Sequence, residues 1–117
     1  MQNLIDLEKK INSELTTKIN KSEIKHNQIY LETDKDDLIE VILFLKTNSH
    51  TKFRQLIEIT VIDHPENNPR FQIVYLFLSH EYNHRIILKY SIAENEIIPS
   101  VTSIFPAANW MEREVFD

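Results

Sequence analysis

The sequence contains no cysteine and no glycine among its 117 residues. The absence of cysteine excludes disulfides, thiolate nucleophiles, iron–sulfur ligation by this chain and cysteine-type zinc sites. The absence of glycine excludes the P-loop and the G-x-G-x-x-G dinucleotide turn, because both bring the backbone so close to phosphate that only glycine fits. Turns that need a positive φ must then use asparagine, the next most tolerant residue. Six asparagines lie between apolar runs, where such turns are expected: Asn27, Asn48, Asn67, Asn68, Asn83 and Asn95.

An excess of positive charge and long apolar runs are absent as well. The formal net charge of −5 argues against a nucleic-acid partner, since phosphate binding needs clustered Lys and Arg. The longest apolar runs, residues 41–45 and 73–78, fall far short of the ~20 residues that span a bilayer. The first residues lack the basic and apolar regions of a signal peptide. We therefore expect a cytoplasmic chain without direct membrane insertion, which reaches a membrane only through partners.

The first half of the chain predicts two helices separated by β-structure. Apolar residues repeat at helical spacing from Leu4 to Ile19, which predicts an amphipathic helix over roughly residues 3–20. Residues 22–31 alternate weakly and fit one strand or a short hairpin turning at Asn27. Asp34 is a good N-cap for a second, more buried helix, which we expect to end near Asn48 in a left-handed conformation.

The second half predicts three strands and a final helix. Residues 57–61 and 86–92 alternate as half-buried strands, whereas residues 71–78 are almost wholly apolar and indicate a central strand covered on both faces. A short helical turn is expected within residues 100–105. Asn109 and Glu112 then resemble a capping box for the last helix.

This order of elements predicts the fold class. One helix, one or two strands, a second helix, three strands and a last helix indicate a single α+β domain over residues 1–117. We expect a two-layer sandwich with a mixed, mostly antiparallel sheet and the helices on one face.

The pentapeptide His80-Glu81-Tyr82-Asn83-His84 matches the H-E-x-x-H pattern of zinc-dependent hydrolases. In that chemistry both histidines bind zinc from one helix face, while the glutamate activates the metal-bound water. The segment is flanked by strand formers on both sides, and the spacing works only on a helix. A solvated hairpin is therefore the better interpretation, with the zinc hydrolase as an alternative.

The last eighteen residues have an unusual composition for a terminal helix. Trp110 is the only tryptophan and follows Pro106 and two small alanines, which permit close approach by another chain. Glu112, Arg113 and Glu114 are consecutive, so on a helix they cannot all face one core. Tryptophan and arginine are enriched at interface hot spots. Two interpretations stay open from the residues: a capped helix with a solvated face, and a surface covered by a partner.

The run PSVTSIFPAANWMEREVFD over residues 99–117 resembles the signature of the C subunit of NADH-quinone oxidoreductase, the thirty-kilodalton subunit family of respiratory complex I. The segments FRQLIEITVIDHP (53–65), RFQIVY (70–75) and NHRI (83–86) resemble two strands and a turn of the same family. The resemblance covers residues 53–117 specifically and the first half only in layout. Phe105 stands where many members have Trp. Family members continue beyond the final Asp, so the C-terminal tail is expected to be absent here, whether trimmed or never encoded.

The resemblance implies a role without chemistry in this chain. It implies a cofactor-free structural subunit of the hydrophilic arm, supporting electron transfer from NADH to quinone while FMN and iron–sulfur clusters reside in partner subunits. The D, B and I subunits are the implied partners, with a peripheral location on the cytoplasmic side of the bacterial inner membrane. An unrelated protein-binding adaptor is a further alternative. No catalytic, cofactor or metal residue is expected, and the expected subunit interface comprises Pro106, Asn109, Trp110, Glu112, Arg113, Glu114 and Asp117.

Overall fold

The structure, a computed structural model, describes residues 3–116 apart from the side chain of Phe116. Over these residues the chain forms three α-helices and five strands, with a short 3-10 turn (Lys35–Asp37) before the second helix. The elements in chain order are α1 (Leu4–Glu14), β1 (Lys21–Lys25), β2 (Gln28–Glu32), α2 (Leu38–Thr47), β3 (Gln55–Asp63), β4 (Phe71–Ser79), β5 (His84–Ile92) and α3 (Ala108–Phe116).

The five strands form one mixed sheet in the order β1-β2-β5-β4-β3. Every neighbouring pair is antiparallel except β2 and β5, which run parallel with Ile29 opposite Ile86. The helices contribute to a single apolar core on one face of this sheet. The predicted α+β sandwich, with a mostly antiparallel sheet and helices on one face, is therefore confirmed.

β4 is an interior strand of the sheet, and only one of its two faces is buried in the core. Its side chains alternate, so that Ile73, Tyr75 and Phe77 are fully buried against the helices while the intervening residues stay partly exposed. The prediction that both faces of this strand are covered is wrong within the described residues, because all helices lie on the same side. The apolar residues on the other side of β4 are left at an uncovered sheet face.

Helix α1 is shorter than its apolar spacing predicts and ends at Glu14. Leu15 leaves the helical conformation, with φ −116° and ψ 35°, yet keeps its side chain in the core. The hydroxyl of the next residue, Thr16, donates to the carbonyls of Asn12 and Ser13. β-branched threonines are poor helix continuers, so the chain turns here into β1.

Positive φ angles occur at two of the six predicted asparagines. Asn27 (φ 60°) and His26 (φ 52°) form the two-residue turn of the β1–β2 hairpin, which confirms a hairpin at this point. Asn83 (φ 55°) lies in the β4–β5 connection. Asn48 has φ −67°, so the predicted left-handed helix end is wrong there. Lys52 (φ 48°) takes the left-handed conformation instead, after its amide and that of Thr51 have both bonded to the Asn48 carbonyl.

Candidate functional site: the surface of the terminal helix

The segment that leads into α3 is anchored firmly in the domain. Val101, Ile104, Phe105 and Ala108 are buried, and the amides of Ile104 and Phe105 both donate to the carbonyl of Val101. This is the predicted helical turn before Pro106.

The ring of Phe105 connects this segment to both the sheet and α2. It lies 5.4 Å, centroid to centroid, from the ring of Phe77 on β4. The ammonium of Lys46 on α2 lies 5.1 Å from the Phe105 centroid and donates to the carbonyl oxygen of Ile104. The terminal helix therefore starts from a fixed position.

Glu112 faces inward from α3 and holds the chain that precedes the helix. Its Oε1 accepts hydrogen bonds from the hydroxyls of Ser100 (2.8 Å) and Thr102 (3.2 Å), and its Oε2 accepts from the amide of Val101 (2.9 Å). The predicted capping box with Asn109 is wrong, because α3 begins at Ala108 and this carboxylate bonds upstream of the helix. Glu112 thus braces the segment within the chain itself.

A buried pair of tyrosines lies near this carboxylate. The hydroxyls of Tyr75 and Tyr90 are 3.2 Å apart, and their rings stack at 5.9 Å between centroids. Burial raises the pKa of both hydroxyls, that of Tyr90 to about 12, and the negative charge of Glu112 acts in the same direction. Both side chains are therefore neutral at physiological pH and serve as packing groups.

Most of the predicted interface residues form one exposed surface, which we call the terminal face. It consists of Pro106, Asn109, Trp110, Arg113 and Glu114, all of which are exposed, and the Trp110 side chain is 67% accessible. Residues 110, 113 and 114 are neighbours on a helix because their spacing is three and four. On the opposite side of the same helix Ala108 is buried and Met111 packs against the core. Asp117, the remaining predicted interface residue, lies outside the described residues.

The charges of the terminal face have no partner within residues 3–116. Neither Arg113 nor Glu114 makes an ion pair there, whereas Arg70, for example, is paired with both Asp63 and Glu94. The terminal face therefore presents an exposed tryptophan and an unpaired arginine, two residue types that are enriched at interface hot spots. What this arrangement can do chemically is recognise another surface.

The H-E-x-x-H pentapeptide forms the connection between β4 and β5 together with the first residue of β5, His84, and does not lie on a helix. His80 bonds to the side chain of Gln55, while Glu81 pairs with Lys52 at 2.7 Å and with Arg54 at 3.6 Å. The hydrogen bond from Lys52 lowers the pKa of Glu81. The zinc-hydrolase alternative is not supported, since a hairpin does not place the two histidines on a common helix face.

Metal-binding clusters and membrane-spanning helices are both missing from residues 3–116. No group of three or more His, Asp or Glu side chains suited to a metal ion occurs in this part of the chain. None of the helices found there combines the length and the apolar character needed to cross a bilayer.

Sequence reasoning misses the residues that hold the terminal helix in place. Lys46, Ser100 and Thr102 are not among the predicted site residues, because each acts on a segment distant in sequence. For Ser100 and Thr102 a signal does exist, since two hydroxyl residues flank Val101 shortly before a helix with acidic residues. The sequence holds no such signal for Lys46.

Comparison with known proteins agrees with this fold and with the terminal segment. The family model described as "Respiratory-chain NADH dehydrogenase, 30 Kd subunit" matches residues 31–117. The NADH-quinone oxidoreductase C subunit of Dinoroseobacter shibae is 44% identical over 96 residues, covering 82% of this chain and 45% of that protein. The same subunit of Rhodospirillum rubrum is 34% identical over 117 residues, covering 100% of this chain and 55% of that protein. The chain thus spans about half the length of the curated relatives it matches.

A solved structure shows the same fold at lower sequence similarity. A chain of the membrane-bound sulfane sulfur reductase, described as an archaeal respiratory membrane complex, superposes with a TM-score of 0.82 at 19% identity. The superposition covers 94% of this chain and 64% of that chain. Since the family model matches well over half of the sequence and includes the whole terminal face, this chain belongs to the family of the 30 Kd subunit of respiratory-chain NADH dehydrogenase.

Proposed function

We propose that this chain is the folded domain of a structural subunit in the hydrophilic arm of a proton-translocating NADH:quinone oxidoreductase. It holds neighbouring subunits in position while electrons pass from NADH to quinone through FMN and iron–sulfur clusters bound by those neighbours. The chain itself binds no cofactor and catalyses no step. Support for this role comes from family membership and from a sequence without cysteine or glycine, which offers no cluster ligands and no nucleotide-binding loop.

The observation that carries the proposal is the terminal face. A largely exposed tryptophan on a helix that is fixed by Glu112 and Phe105 is a pre-organised contact, so little conformational entropy is lost on docking. The D, B and I subunits are the proposed neighbours. The proposed location is the cytoplasmic side of the bacterial inner membrane, where the chain is held peripherally through the complex.

Arg113→Ala tests this role. The substitution should weaken association with the D subunit by about 2–5 kcal/mol if the partner carboxylate is buried, since truncation leaves that charge unpaired. The domain should stay folded, because Arg113 is exposed and unpaired within residues 3–116. The measurement is the yield of the D subunit recovered with the affinity-tagged chain from detergent-solubilised membranes.

Lys9→Ala is the matched control, because it removes one exposed positive charge from a different helix. It should leave the yield unchanged. Equal recovery of the D subunit with wild type and Arg113→Ala would contradict a docking role for the terminal face.

A further inference from the structure

The uncovered face of the sheet carries a compact apolar patch. It consists of Tyr30, Val74, Leu76, Leu78 and Ile87, which we call the open-face patch. The strand register joins them, because Tyr30 lies opposite Ile87 and Ile87 lies opposite Leu76. All five are partly exposed, and none belongs to the partly buried apolar residues that pack against the core.

The sequence pattern of β4 indicates that this patch is built for burial. Val74, Leu76 and Leu78 alternate with the fully buried Ile73, Tyr75 and Phe77, so the strand is apolar on both faces. Such a run is typical of a strand that is covered on both sides, whereas an antiparallel strand facing water normally has polar residues there. The chain's own helices cover only one side.

The patch has the dimensions of one helix contact. It extends over three alternate residues of β4, about 13 Å, and across three strands, about 10 Å. An α-helix with its side chains is about 10–12 Å across. A hollow of about 200 Å³ lies over it, lined by Val74, Leu76 and Ile87 with Gln28, Glu58 and Thr60 at its rim.

The rim carries opposite charges on two sides. Lys89 on β5 lies opposite Val74, with its ammonium 5.9 Å from the centroid of the Tyr30 ring. Glu58 on β3 lies opposite Leu76, and Arg85 on β5 lies opposite Leu78. Neither residue makes an ion pair within residues 3–116. A partner that covers the patch would therefore place a basic residue toward Glu58 and an acidic residue toward Arg85.

We propose that the open face of the sheet docks an amphipathic helix of a neighbouring subunit, with its apolar side on the open-face patch and oppositely charged residues at Glu58 and Arg85. The inference rests on the proposed function and adds a second surface to it. The domain would then be held between two contacts, one at the terminal face in the helical layer and one on the open sheet.

A helix suits this face better than a second copy of the chain. A stable dimer interface buries about 800 Å² on each partner, whereas the patch measures only about 13 by 10 Å, the width of one helix. Such a contact would also cover the exposed charged residues Lys21, Glu23 and Lys25 of β1, which lie on the same face.

Leu76→Lys tests the second surface, with Ser91→Lys as its control. Both substitutions add one positive charge to the open face, but Ser91 is exposed and lies outside the patch. Leu76→Lys should reduce recovery of the other subunits with the tagged chain from solubilised membranes at least tenfold, and Ser91→Lys should not. Circular dichroism and thermal melting check that both variants fold.

Photo-crosslinking gives a second measurement that does not depend on the lysine variant folding. A benzoylphenylalanine in place of Leu76 should crosslink to a helical segment of another subunit in the assembled complex, identified by peptide mass. A crosslink to a second copy of this chain, or none above that from position 91, would overturn the proposal.

The recovery experiment separates this proposal from the proposed function. If wild type recovers the subunits and Leu76→Lys recovers them equally, the open-face proposal fails alone. If wild type recovers none, the proposed function fails with it.

Discussion

Glu112 and Glu114 lie on the same helix and carry the same charge, but their surroundings differ. Glu112 accepts three hydrogen bonds from residues 100–102, whereas Glu114 is exposed and has no partner within residues 3–116. The sequence predicts both as interface residues, and the local cap that it assigns to Glu112 with Asn109 is not the contact that the structure shows. The structure separates a residue that positions the helix from one that is presented to the outside.

Glu112→Gln should loosen α3 without unfolding the sheet. Glutamine keeps the shape, but it replaces an acceptor oxygen with an N–H donor beside donors that need an acceptor. We expect a loss of about 1–3 kcal/mol in the local stability of α3 and the 100–102 segment. Amide hydrogen exchange measures this, with faster exchange at Val101 and along α3 and unchanged exchange in β4 and β5. Glu114→Gln removes the same charge and should change the free energy by less than about 0.5 kcal/mol, so equal effects of the two variants would refute a bracing role.

At the level of elements, the β1–β2 hairpin uses an uncommon turn sequence. His26 and Asn27 both have positive φ, a conformation that suits Asn-Gly best and is unfavourable for histidine. The backbone of His26 is therefore strained in this turn, and the sequence has no glycine that would adopt the same φ without strain.

Replacing the turn with Asn-Gly should stabilise the protein. The double variant His26→Asn with Asn27→Gly should raise the free energy of unfolding by about 1 kcal/mol, which shifts Tm upward by roughly 4–8 °C. Calorimetry measures the change. Asn95→Gly is the control and should lower Tm or leave it unchanged. Asn95 has no positive φ, so a glycine there relieves no strain and only increases the conformational entropy of the unfolded chain. A Tm that stays the same or falls in the double variant would contradict the strain argument.

The elements that can be predicted from sequence are those whose signal is local. Periodicity locates both early helices and all three long strands, and Asn27 and Asn83 mark their turns correctly. The left-handed Lys52 is not predictable, because lysine has no preference for that conformation and its ammonium is held by Glu81, in the distant connection between β4 and β5. Likewise the spacing of Asn109 and Glu112 fits a local cap, but the actual partners of Glu112 lie ten or more residues upstream.

The candidate surfaces also differ in how far the sequence predicts them. The consecutive residues Glu112, Arg113 and Glu114 cannot all face one core, and in the structure Glu112 faces inward while Arg113 and Glu114 are exposed. The exposure of Trp110 is seen only in the structure, and the interface itself stays a prediction. The open-face patch is different, and the sequence wrongly predicts it as covered within this domain. The apolar run in β4 is typical of a strand covered on both faces, but within residues 3–116 only one face is covered.

At the level of the whole molecule, an arginine links the β3–β4 loop to the chain after β5. Arg70 donates to both carboxylate oxygens of Asp63, at 2.6 and 2.9 Å, and also to Glu94. The hydrogen bond from Arg70 lowers the pKa of Asp63 below its ordinary value of 3.8. The folded state therefore binds this proton less tightly than the unfolded chain, so the stabilisation is complete above about pH 4 and is lost as the pH falls below it.

Asp63→Asn should remove this pH dependence, because asparagine does not titrate. Wild type should be more stable than the variant at pH 7, and the difference in free energy of unfolding should shrink as the pH falls toward about 3. Urea unfolding at several pH values measures both curves. Asp36→Asn removes an exposed carboxylate that makes no ion pair within the described residues, and it should show no such convergence. A constant difference between wild type and Asp63→Asn at all pH values would rule out the linkage.

The parallel pairing of β2 with β5 determines when the nascent chain can fold. The first hairpin leaves the ribosome early, but the strand that completes its edge, with Ile29 opposite Ile86, is synthesised only after α2, β3 and β4. A two-stranded hairpin is marginal alone, so the N-terminal third stays unprotected until β5 has emerged. Translational stalling anywhere before Ile92 would therefore leave a species that chaperones and proteases can engage, and assembly into any larger complex must wait for that strand.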